Sequence, residues 1–153
     1  MFAATAFAQS GKARLDSFKK EAPALQDAVN GVIDSTVPGL GLFQKAKATY
    51  LEGYGIVITL EASLEPTRNP FSSPKTPAEV RAIVTERLRE IQQKLERFLK
   101  ERTASLASLD STDSIAIVLY FFNSNPADLP DLPAQVVLTA KKQDASRITF
   151  REF

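Results

Sequence analysis

The apolar patterns along the chain predict an α+β fold in one domain: an antiparallel sheet with element order α-β-β-α-β-β and a last short strand. Three observations carry this. Two stretches repeat their apolar residues at steps of three and four, at 12–35 and 76–104. Two others alternate, at 56–64 and 134–141. A continuous apolar run, S-I-A-I-V-L-Y-F-F, fills Ser114–Phe122. The 153 residues suit a single domain.

The first helix is read from Leu15, Phe18, Ala22, Leu25, Val29 and Val32, which share one face. Pro23 falls inside it, and an interior proline loses a hydrogen bond and clashes with the preceding turn. The apolar register continues past Pro23, so a kinked or restarted helix is expected, ended by Val37-Pro38-Gly39. Residues 44–51 and 56–64 read as strands. Ile56, Ile58, Leu60, Ala62 and Leu64 face one way and Val57, Thr59, Glu61 and Ser63 the other. Pro66, Pro70 and Pro74 then mark a loop.

Thr76-Pro77-Ala78-Glu79 is a capping box with proline at the first helical position. Val84, Leu88, Ile91, Leu95 and Phe98 form the apolar stripe of the helix it opens. Ser114–Phe122 is apolar on both faces, which predicts a central strand covered on both sides. Asn123–Pro133 is a proline-rich loop, Ala134–Lys141 alternates, and Arg147–Phe153 is a short edge strand. This order is compatible with a sheet of the profilin or roadblock kind, with a split ferredoxin-like sandwich as the alternative.

Composition excludes more than it suggests. Nineteen basic and 18 acidic residues leave a net charge of +1, which gives no pull toward nucleic acid. With no cysteine and no histidine, disulfides, the usual zinc sites and histidine-based nucleophilic catalysis are ruled out. No catalytic residue, metal site or cofactor is assigned. No apolar run is long enough to predict a transmembrane segment. The opening M-F-A-A-T-A-F-A-Q-S places Ala6-Phe7-Ala8 before Gln9, the small-x-small pattern of a signal-peptidase site. Residues 1–8 are therefore read as a signal-peptide remnant and 9–153 as the domain, exported or periplasmic, with a cytoplasmic scaffold as the alternative.

The candidate sites are few. Gly53-Tyr54-Gly55 lacks the third glycine and following helix of a dinucleotide fingerprint, and the Gly-Lys-Ser/Thr of a P-loop. It is read as sheet geometry: a type II′ turn with Gly53 first, or a glycine bulge, with positive φ. Glu61, Asp110 and Asp113 are the acidic candidates for carboxylate chemistry, set against a polar turn for S-L-D-S-T-D-S. Ser72-Ser73-Pro74-Lys75 matches S-x-x-K without its companion motifs. Leu129, Pro130, Asp131, Leu132 and Pro133 form a stiffened segment able to dock in a partner's groove, or to cap the domain's own core.

T-Y-L-E-G-Y-G-I-V-I-T-L-E, D-S-I-A-I-V-L-Y-F-F and V-V-L-T-A-K-K-Q-D together resemble small exported, uncharacterised proteins of Acidobacteria-like genomes. The resemblance spans about residues 44 to 144 and implies export and a bacterial source, with no activity or site residue. The expectation is a non-enzymatic domain acting through protein or envelope contacts, possible self-association included. The rival is a carboxylate-based enzyme or small-ligand protein.

Overall fold

A computed structural model describes the backbone of residues 3–39 and 41–153. Its elements are α1 (Ala3–Thr36), β1 (Leu42–Leu51), β2 (Gly55–Ala62), α2 (Pro77–Arg102), a 3₁₀ turn at Thr103–Ser105, β3 (Ser114–Phe121), β4 (Gln135–Lys141) and β5 (Asp144–Glu152). The α+β class and the element order follow the apolar patterns. Met1 and Phe2 of the leader segment read at 1–8 lie outside the described residues, and the backbone of Ala3–Ala8 continues α1.

The five strands lie in the order β1-β2-β3-β4-β5. Three neighbouring pairs are antiparallel, but β2 and β3 run parallel, so the sheet is mixed. The helix explains the difference. A strand-helix-strand crossing returns the chain to the same end of the sheet, and α2 makes that crossing. The split ferredoxin-like alternative is corrected by the same pairing. It needs a strand between the two that the helix joins, whereas Gly55–Ala62 pairs directly with Ser114–Phe121.

Both helices cover one face. α1 packs against β1 and α2, and α2 lies over β4 and β5. Cross-strand rows such as Ala48, Ile58, Ile117, Leu138 and Phe150 point toward them. α1 runs through Pro23 without a break, because Phe18, Leu25, Val29 and Ile33 on either side share one buried stripe. Ile33, absent from the expected stripe, is fully buried, while Leu15 is exposed. The capping box forms: Thr76 Oγ1 accepts from the Glu79 N–H at 3.2 Å, and Glu79 Oε2 accepts from the Thr76 N–H at 2.7 Å. These bonds hold the Glu79 carboxyl below its usual range, helped by nearby Lys75.

Gly53-Tyr54-Gly55 turns the β1–β2 hairpin. The Tyr54 N–H donates to the Leu51 carbonyl at 3.1 Å, and Gly53 has φ +78° while no other residue type adopts positive φ among the described residues. A positive φ at the third position only makes this a type II turn over Leu51–Tyr54. The expected type II′ assignment, with Gly53 second in the turn, is therefore off by one position. Gly55, at φ +123°, matters for a different reason, because a Cβ there would sit 2.1 Å from the Ser114 carbonyl oxygen and 2.9 Å from Leu109 Cδ2. Gly53 has open space around it.

The two glycines should therefore separate in stability. Gly53→Ala should cost about 1–2 kcal/mol, the strain of a left-handed alanine. Gly55→Ala adds overlap with β3 and should cost about 3–5 kcal/mol. Urea denaturation of both variants checks the order, and equal losses would contradict the close approach.

Candidate functional site

Glu61 does not converge with the other two acidic candidates, Asp110 and Asp113. Ser114, just after Asp113, pairs with Gly55 at the start of β2, and Glu61 lies six residues further along that strand. At the rise of an extended chain the separation is roughly 20 Å. Among the described residues no group of three or more acidic side chains could hold a metal ion.

Asp110 and Asp113 instead belong to a structural lock around residues 106–113. Asp113 Oδ2 accepts from the Asp110 N–H at 2.9 Å, closing the turn. Arg14 of α1 ion-pairs with Asp110 and lies 3.6 Å from Asp113 Oδ2. Glu21, two turns along α1, accepts from the backbone N–H groups of Ala107 at 2.7 Å and Ser108 at 3.3 Å, and from the Ser108 hydroxyl at 2.5 Å. From the other side, Lys142 Nζ donates to the carbonyls of Leu106 at 2.7 Å and Leu109 at 2.6 Å. The Lys142 and Gln143 N–H groups donate to Asp113 and Ser111. An irregular segment carries backbone groups that no ladder satisfies, and these charged side chains satisfy them.

The loop leucines turn inward. Leu129 is 4% exposed, and Leu132 packs against the core near Val84 and Leu88 of α2. Pro130 and Asp131 remain exposed, and Pro133 is half-buried. The segment caps its own core, and its leucines are not offered to a partner. Glu65 is likewise engaged, accepting from the Ser124 hydroxyl at 2.5 Å.

The largest feature without an internal role is the sheet face opposite the helices. Its rows are Thr49-Val57-Ala116-Thr139-Thr149, then Lys47-Thr59-Val118-Val137-Arg151. Glu61, Tyr120 and Gln135 follow in register. Among the described residues no element lies across these rows. The expectation that β3 is covered on both sides is thus corrected: Ile115, Ile117, Leu119 and Phe121 lie under the helices, while Val118, Tyr120 and Phe122 lie on the open side. Tyr120 is 46% and Phe122 42% exposed. Phe122 stacks on exposed Phe43 with ring centres 4.9 Å apart, and Phe153, paired with Gln135, adds a further exposed ring at that end.

Tyr50 sits on the helix-covered side, its ring 5.8 Å from that of Phe18. Burial raises its hydroxyl pKa above 10.0, with Asp113, Asp110 and Glu52 adding to the rise and Arg14 opposing it.

Two measurements follow from these contacts. Glu21→Ala should cost about 2–3 kcal/mol, since it leaves the N–H and hydroxyl of buried Ser108 unpaired. Asp110→Asn removes only an exposed charge and should cost less than about 1 kcal/mol; chemical denaturation of the pair tests the ranking. For Tyr50, the folded pKa lies above the unfolded one, so its contribution is present below pH 10 and is lost as pH rises through the folded value. Ultraviolet titration of the protein minus that of Tyr50→Phe should give a midpoint above 10.

No family model, no curated protein and no solved structure matches the chain.

Proposed function

We propose that the chain is a non-enzymatic interaction domain whose working surface is the open sheet face, centred on Val118, Tyr120 and Phe122. One observation carries this: β3 has a sequence suited to burial on both faces, and the described residues cover only one. Alternating apolar and polar residues suffice for a strand with one face in water. Val118, Tyr120 and Phe122 go beyond that requirement, and with Phe43 and Phe153 they form an aromatic-rich patch of the kind that partners cover. The flanking charges are mixed, Lys47 and Arg151 against Glu61, which suits a protein surface better than a polyanion.

The domain in this view is exported or periplasmic, and its partner is a protein or an envelope component. Ala6-Phe7-Ala8 and the likeness to exported bacterial proteins support that compartment. No helix among the described residues is long and apolar enough to cross a membrane. The acidic residues favour no enzymatic role, because Glu61 stands apart and Asp110 and Asp113 serve the fold.

A photo-crosslinking residue placed at Tyr120 in the native cell should give a defined adduct. One placed at exposed Arg89 on α2 should give none. Phe122→Ser should remove the Tyr120 adduct while costing only about 1 kcal/mol of stability, the worth of one aromatic pair. No adduct at Tyr120, or one unaffected by Phe122→Ser, would overturn the proposal.

A further inference from the structure

The two edges of the sheet are treated differently. At β1, the side-chain carbonyls of Gln26 and Asn30 on α1 accept from the backbone N–H groups of Ala48 at 2.9 Å and Ala46 at 2.7 Å. These two residues, four apart on the helix, occupy hydrogen-bonding positions that an added strand would use. β1 is thereby closed to pairing.

At β5 there is no such cover. The Phe153 N–H donates to Gln135 O, and the Gln135 N–H to Phe153 O, so odd-numbered residues of this strand point their backbone groups toward β4. By the alternation of an antiparallel ladder, Ile148, Phe150 and Glu152 direct theirs outward. Among the described residues nothing bonds those outward groups. The strand is nine residues long and rich in strand-forming Ile, Thr and Phe.

We propose that β5 pairs antiparallel with β5 of a second copy of this chain, joining two five-stranded sheets into one. With β1 closed, a β5-to-β1 contact, which would propagate into a filament, is not available. Self-association through edges is left with the two-fold β5-to-β5 arrangement, which closes as a dimer.

Charge selects the register. A two-fold axis perpendicular to the sheet keeps each face continuous, so residues of the same parity oppose one another. Centring on Ile148 sets Asp144 opposite Glu152, and centring on Thr149 sets Arg147 opposite Arg151. Centring on Arg151 or Glu152 opposes each to its own copy. Only centring on Phe150, among these five, avoids opposing like charges. Phe150 then faces its counterpart, Thr149 faces Arg151 of the second copy, and Arg147 faces the ring of Phe153, a cation–π pair on the open side. The dimer stands independently of what the open face binds, and it would double that face.

Sedimentation velocity of the full chain, from micromolar to millimolar concentration, tests the dimer. Thr149 is exposed, so its substitution leaves the monomer fold intact, which thermal unfolding verifies. Thr149→Glu should tighten the dimer about tenfold by facing Arg151, and Thr149→Arg should weaken it about tenfold. Amide exchange at Ile148, Phe150 and Glu152 should slow as the dimer forms. A monomer at every concentration, equal dimerisation by the two Thr149 variants, or a dimer abolished by Tyr120→Asp on the open face would each overturn the proposal. Phe122→Ser, which leaves position 120 available for the crosslinking residue, should leave dimerisation unchanged while removing the partner adduct, which separates this proposal from the interaction surface.

Discussion

β3 can begin beside β2 only because residue 55 has no side chain. The Ser114 carbonyl occupies the space a Cβ would need, and the Ser114 N–H donates to Tyr54 O at 2.7 Å. From that point the parallel register runs without interruption from Gly55–Ser114 to Ala62–Phe121. β4 and β5 are added to β3 in turn, so one close approach fixes where the second half of the sheet sits against the first. A parallel pair needs this kind of anchor more than a hairpin does, because no short turn sets its register.

The chain reaches Ser114 through an irregular segment that the lock of Glu21, Arg14 and Lys142 holds. Glu21 and Arg14 come from α1, and Lys142 from the turn after β4, so three distant parts of the sequence meet there. A carboxylate accepting backbone N–H groups and an ammonium donating to carbonyls do for this loop what a ladder does for a strand. The same economy appears elsewhere: Arg87 donates to the Leu64 carbonyl at 2.9 Å, and burial lowers its pKa.

Local signals were legible in the sequence, and their long-range partners were not. The capping box, the stripe from Val84 to Phe98 and the alternation of Ile56, Ile58 and Leu60 each lie within one element, where helix or strand geometry fixes the outcome. Glu21 reads as one more charge on an amphipathic helix, because its target is 86 residues away. Gln26 and Asn30 are similarly silent until β1 is laid beside them. The glycines were half-legible: sheet geometry could be inferred from their spacing, but only the fold distinguishes the turn at Gly53 from the close approach at Gly55. Asp110 and Asp113 looked like a site because carboxylates close in sequence are ambiguous until their counter-charge, here Arg14, is placed.

The misjudged cover over β3 is more informative than the successes. Its apolar run correctly implied burial on one side, yet the second apolar face has no cover among the described residues. Both helices lie on the side of Ile115, Ile117 and Leu119, and α1's Gln26 and Asn30 also close the β1 edge. Among the described residues, what the fold leaves without an internal partner is then one face and one edge, meeting along β5, where Arg151 belongs to both. A strand composition suited to more burial than the monomer supplies is a physical reason to look outside the chain for the rest.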